Sequence, residues 1–89
     1  MRTVKIIVKG RVQGVFFRAG VEKIAKSLGI DGYVKNTDNG DVEVVAQGNE
    51  NKIKELIDYC KKGSKWSTVE EVEVEDISKI DDFGFRIIY

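Results

Sequence analysis

Gly10-Arg11-Val12-Gln13-Gly14-Val15-Phe16-Phe17-Arg18 separates two runs of different period. Before it, Thr3-Val4-Lys5-Ile6-Ile7-Val8-Lys9 alternates, with Val4, Ile6 and Val8 on one face, which predicts a half-buried strand. After it, Val21, Ile24, Ala25 and Leu28 recur at i, i+3, i+4, i+7, which predicts an amphipathic helix. A loop of this kind can turn successive backbone N–H groups inward and form a concave anion site. The positive end of the following helix points at the same place, and Arg18 supplies a planar, permanently charged fork. The residues alone leave two readings open. The stretch is a plain turn with Arg18 solvated at a helix start that does not favour a cation, or it is a phosphate cradle. It has neither the Gly-Lys-Ser/Thr of a Walker loop nor the three-glycine dinucleotide fingerprint.

Outward from this loop the chain keeps changing period. Gly29 suits a helix stop. Ile30 to Asn36 reads as a second strand, weakened or bulged at Gly32. Asp38-Asn39-Gly40 is a turn signal, so Asp41 to Gln47 pairs back as a hairpin. Asn49 suits a helix N-cap, and Ile53, Leu56, Ile57 and Cys60 form the next apolar stripe, closed by Gly63. Val69 to Asp76 alternates valine with acid and suits a charged edge strand. Phe83 to Tyr89 is a fifth strand with Phe83, Phe85, Ile87 and Tyr89 on one face. The order β-α-β-β-α-β plus a final strand predicts an α+β, ferredoxin-like sandwich, with two helices on one face of a mainly antiparallel sheet. The expected core strand order is 4-1-3-2; the last strand sits at an edge or extends the sheet, and its place stays open.

In that topology the first and second strands are parallel, with the third between them. Their C-terminal ends lie on one edge of the sheet, about 10 Å apart. Arg18 and Asn36 can therefore meet.

Composition narrows the function. The chain has 89 residues, 15 basic and 15 acidic, and suits one domain spanning 1–89. Zero net charge argues against a broad attraction to nucleic acid. No histidine is present, so zinc sites and His-based acid–base chemistry are not expected. The single cysteine, Cys60, excludes an internal disulfide and suits a reducing, cytoplasmic setting; it falls on a helix stripe and reads as core. No apolar run is long enough to span a membrane, and charges interrupt the N-terminal run where a signal peptide would need apolar residues.

The loop sequence closely resembles the signature of the acylphosphatases. Gly32-Tyr33-Val34-Lys35-Asn36, followed by Gly40-Asp41-Val42-Glu43, resembles their second signature, in the same order and at the same spacing. Phe85-Arg86-Ile87-Ile88-Tyr89 is similar to the family's ending. The resemblance covers essentially the whole chain. It implies hydrolysis of the carboxyl–phosphate anhydride of a small acyl phosphate, without metal, cofactor or covalent intermediate. It implies that Asn36 orients the attacking water. It implies that Arg18 and the backbone N–H groups of Val12, Gln13, Gly14, Val15, Phe16, Phe17 and Arg18 hold the phosphoryl oxygens. Inorganic phosphate or sulfate is then a product-like ligand, and a monomer without nucleic-acid or membrane partners is expected.

Several residues keep a second reading. Asn36 and Thr37 also suit a turn. Phe16 and Phe17 read as packing rather than substrate contacts. Trp66 covers an edge of the core or forms a wall near the acyl group. The sequence departs from the family where Gly63-Ser64-Lys65-Trp66 lacks proline, where Asn39 replaces aspartate, and where Ile88 replaces a basic residue, so a contact from the last strand is in doubt. Single-stranded RNA readers share the element order, but Asp41-Val42-Glu43-Val44-Val45 lacks their aromatics. Acylphosphatase-like domains also occur inside larger carbamoyl-transfer proteins; the short chain favours a free-standing enzyme.

Overall fold

Val4, Ile6 and Val8 are wholly buried, while Lys5, Ile7 and Lys9 of the same strand line its other face. That alternation organises the computed structural model, which describes residues 1–89. The elements are β1 (Arg2–Arg11), α1 (Phe17–Ser27), β2 (Asp31–Asn36), β3 (Val42–Gly48), α2 (Glu50–Lys62), β4 (Thr68–Asp76) and β5 (Phe85–Ile88). The strands form one sheet in the order β4-β1-β3-β2-β5, all antiparallel except the β2–β5 pair. The expected core order is found, with two helices on one face.

The core is where the periods meet. Val34, Val42, Val44 and Ala46 continue the buried face begun by β1. Against it lie Phe17, Val21 and Ala25 of α1 and Ile53, Leu56 and Cys60 of α2. Burial pushes the Cys60 thiol up to about 12, so it is a neutral core side chain. The Asn49 side chain accepts from the Asn51 N–H at 2.9 Å and caps α2, as its sequence suggests. Between the helices, a methyl group on Gly20 would collide with the Tyr59 hydroxyl, so this glycine permits close packing.

Three details differ from the sequence expectation. First, β1 runs on through Gly10 to Arg11, because a bulge between Lys9 and Gly10 lets pairing with β4 continue. Gly10 therefore belongs to the strand, where its φ of 130° and the nearby Thr68 carbonyl exclude a side chain. Second, Gly32 marks no bulge in the β2–β3 ladder, whose register is continuous; a Cβ there would strike the Val45 carbonyl. Third, β5 is shorter than Phe83 to Tyr89. Phe85 is buried and Ile87 half-buried, but Phe83 and Tyr89 lie outside the strand and are each 95% exposed.

The long crossing from β4 to β5 is held by one buried amide. The Gln47 side chain accepts from Thr3 Oγ1 at 2.6 Å and from the Ile80 N–H at 3.0 Å, and donates to the Ile80 carbonyl at 3.2 Å. Next to it, Gly84 N–H donates to Asp31 Oδ1 at 2.8 Å, and Gly32 N–H donates to the Gly84 carbonyl at 2.9 Å. Gln47→Ala leaves the buried Thr3 hydroxyl and the part-buried N–H and carbonyl of Ile80 without these partners. It is expected to lower stability by about 1–3 kcal/mol and to speed hydrogen exchange chiefly across residues 77–88. Uniform exchange over the whole sheet would show that the crossing is not held there.

Candidate active site

The site grows from the end of β1. Val12 and Phe17 are both buried and pin the two ends of the loop between β1 and α1. Between them the chain lifts away from the core. Gly14 has φ 72° with open space around its Cα, so glycine serves the backbone angle there, not clearance. Phe16 has φ 63° and is the only non-glycine residue with positive φ. A left-handed conformation costs a bulky residue about 1–2 kcal/mol, so the surrounding structure must impose it.

This winding leaves the loop's donors unspent. No backbone N–H from residues 12–18 donates to a backbone carbonyl. The backbone N–H groups that donate to side chains belong to Asp41, Asn51, Ile80 and Gly84, all elsewhere. The N-terminal turn of α1 begins at the same point and contains no acidic residue to balance its positive end.

Two side-chain ties hold the loop in place. Gln13 Nε2 donates to the carbonyls of Thr37 and Asp41, each at 2.8 Å, and so binds the loop to the β2–β3 turn. Ser64 Oγ donates to the Val15 carbonyl at 2.8 Å, binding the loop to the segment after α2. In that segment Ser67 Oγ and N–H both donate to the Ser64 carbonyl, a side-chain brace where proline is missing. Thr37 works within the turn: its hydroxyl bonds Asn39 Oδ1 and accepts from the Asp41 N–H at 3.1 Å.

Arg18, the second residue of α1, makes no ion pair with any acid within 4.0 Å. Its guanidinium lies over the Tyr89 ring, 5.0 Å from the centroid. A cleft of about 260 Å³ opens here, lined by Val12, Gly14, Phe16, Phe17, Arg18, Ala19, Ile87 and Tyr89. Five of the expected residues thus face one cavity. Gln13 and Val15 do not line it and act as anchors. Phe17 is core, as expected of both aromatics, but Phe16 is 73% exposed because its left-handed backbone turns it outward.

Asn36 ends β2, one residue beyond the last β2–β5 pair, Lys35 with Ile88. It does not line the 260 Å³ cleft, but the Gln13 tie to Thr37 fixes the loop to the adjacent residue. Its Oδ1 is buried and accepts no hydrogen bond from the protein. Leaving a buried acceptor unpaired costs about 1–3 kcal/mol, which makes this atom exceptional. Elsewhere, no three His, Cys, Asp or Glu side chains converge in a metal-ligating cluster.

Sequence reasoning missed Ala19, Ile87 and Tyr89 as cleft residues and Ser64 as an anchor. The resemblance of Phe85-Arg86-Ile87-Ile88-Tyr89 to a family ending was the available signal for the last strand. Despite Ile88, that strand's end does reach the site, through the Tyr89 ring. Trp66 is 59% exposed and does not cover the core.

Comparison with known proteins shows the family and the fold. The family model described as Acylphosphatase matches residues 4–87. The chain is 44% identical to an acylphosphatase of Caldivirga maquilingensis, over 97% of this chain and 93% of that one. It superposes on the crystal structure of the acylphosphatase from Bacillus subtilis with a TM-score of 0.95 at 39% identity, covering all of both chains. It also matches T. kodakarensis HypF, at a TM-score of 0.86 and 31% identity, covering 100% of this chain and 12% of that one. With both signatures, the fold and full-length relatives in agreement, the chain belongs to the acylphosphatase family, the hydrolases of acyl phosphates.

Proposed function

We propose that the chain hydrolyses acyl phosphates by direct attack of water on phosphorus, with the loop of residues 12–18 and Arg18 binding the phosphoryl group and Asn36 positioning the water. The observation that carries this reading is the set of uncommitted N–H groups in residues 12–18, wound by Gly14 and Phe16 against the uncompensated start of α1. Such a concavity suits the equatorial oxygens of a transferring phosphoryl group. Arg18 adds two parallel donors, and its guanidinium sits over the Tyr89 ring, 5.0 Å from the centroid.

The chemistry asks little more of the protein. The departing carboxylate has a conjugate-acid pKa of about 4, so it leaves without a general acid. Water forms the new bond to phosphorus as the anhydride oxygen departs with its electron pair. The water's proton passes to a phosphoryl oxygen of the substrate, and the products are carboxylate and inorganic phosphate. The Asn36 side-chain amide orients the water and aims its lone pair at phosphorus. Positioning and charge stabilisation then supply the rate.

Product-like anions test the binding half of this reading directly. Phosphate or sulfate is expected to inhibit benzoyl phosphate hydrolysis competitively and to stabilise the fold. At a hundred times its dissociation constant the gain is about 2.7 kcal/mol, or roughly 10–20 °C in the midpoint of a domain this size. Thermal melts in phosphate and in chloride at equal ionic strength give the comparison. Coincident melts up to tens of millimolar would remove the cradle.

A further inference from the structure

A second and larger cleft adjoins the first. It measures about 610 Å³ and shares Phe16 and Ala19 with the cleft beneath Arg18. Its walls come from α1, the end of α2 and the segment of residues 63–66. Three cations line it, Lys23, Lys62 and Lys65, and no acidic side chain does. In a chain with equal numbers of acids and bases this is a marked local imbalance. Seven other cationic side chains form ion pairs within 4.0 Å, but these three form none. Lys65 instead lies over the Trp66 ring, 5.1 Å from its centroid. Trp66 and Phe16 expose flat apolar surface, and Tyr59 completes the aromatic lining.

The groove's position relative to the loop is not loose. Ser64, one of its lining residues, donates directly to the Val15 carbonyl of the loop. The loop cleft and the lysine-lined cleft therefore meet at Phe16 and Ala19, which line both.

We propose that this groove is an acyl-group subsite, selecting acyl phosphates whose acyl portion carries a second anionic group, a carboxylate or a phosphoryl. The inference rests on the phosphate-site reading above. The body of the acyl group lies on Phe16 and Trp66, and its distal anion is attracted by Lys23, Lys62 and Lys65. Exposed lysines act in a high dielectric, so their combined effect is modest and depends on salt.

The test uses the intact protein and stable phosphonates. Benzylphosphonate carries the phosphoryl mimic alone; 4-(phosphonomethyl)benzoate adds a distal carboxylate, and the corresponding bisphosphonate adds a distal phosphoryl. Trp66 is the only tryptophan, so its fluorescence reports from this groove. Either two-anion compound is expected to bind about five- to tenfold more tightly than benzylphosphonate at low salt and to shift Trp66 emission. Comparing the two shows which anion is preferred. The triple variant Lys23→Gln, Lys62→Gln, Lys65→Gln is expected to lose that preference and keep its benzoyl phosphate turnover. Equal binding of all three compounds, a preference that survives in the triple variant, or an equal Trp66 shift with pyrophosphate would each overturn the subsite. If benzoyl phosphate is turned over without such a preference, only the subsite fails. If no phosphonate competes with inorganic phosphate and benzoyl phosphate is not turned over, the phosphate-site reading fails with it.

Discussion

Arg18→Lys is expected to fold normally and to lose about two to three orders of magnitude in turnover of benzoyl phosphate, the usual effect of removing one transition-state donor. The substitution keeps the charge at the start of α1 but discards the geometry. An ammonium cannot present two coplanar donors as the guanidinium does, and it loses the guanidinium's position 5.0 Å from the Tyr89 ring centroid. Part of the loss is expected in ground-state phosphate affinity, because the same fork holds the phosphoryl oxygens before and during the reaction. Stability should hardly change, since Arg18 pairs with no acid and forms no part of the buried core. The measurements are steady-state kinetics, calorimetric phosphate affinity and circular dichroism. A folded variant with near-normal turnover and affinity would reduce Arg18 to a solvated helix residue.

Asn36→Ala should give a different signature. Turnover falls by a similar factor, while phosphate affinity stays close to that of the parent. An interaction made chiefly with the attacking water lowers the catalytic rate without a matching loss of ground-state binding. Stability offers a second readout. Because Asn36 Oδ1 is buried without a protein donor, removing it relieves a penalty, and the variant is expected to melt no lower than the parent. Asn36→Asp probes charge at the same size. The introduced carboxylate repels the phosphoryl group, so this variant should bind phosphate more weakly than Asn36→Ala, and lowering the pH through the carboxylate's titration should restore affinity. If Asn36→Ala loses phosphate affinity as severely as Arg18→Lys, Asn36 binds phosphate and does not position water.

The two variants share a structural dependence. Arg18 and Asn36 lie 18 residues apart in the chain, and the loop stays beside the β2–β3 turn through one side chain, Gln13. Its two bonds reach the carbonyls of Thr37 and Asp41, so the register of the hairpin bears directly on the loop. Glycines at 10, 14 and 32 serve this arrangement in different ways. Gly14 supplies a left-handed angle in open space, whereas Gly10 and Gly32 make room for a neighbouring strand's carbonyl.

Much of the architecture was legible in the order of residues, because it depends on local period. The valines and isoleucines of β1 and β3 alternate, and the stripes of α1 and α2 recur every third or fourth residue. Burying both kinds of face at once leaves few arrangements besides two helices on one side of a sheet. The loop and Asn36 were visible as paired motifs at a fixed separation. The sequence could not place the last strand, since Phe85 to Ile88 is equally compatible with either edge. Tertiary structure decides it through the buried side chain of Gln47 and the Asp31–Gly84–Gly32 contacts, which hold the chain on its way from β4 to the far side of β2. That crossing makes β5 parallel to β2 and brings Tyr89 under Arg18. Phe16 also read as packing, whereas in the structure its backbone is left-handed and its side chain lines both clefts. Backbone handedness and strand position are set by contacts between residues far apart in sequence, so neither was available from any single stretch of the chain.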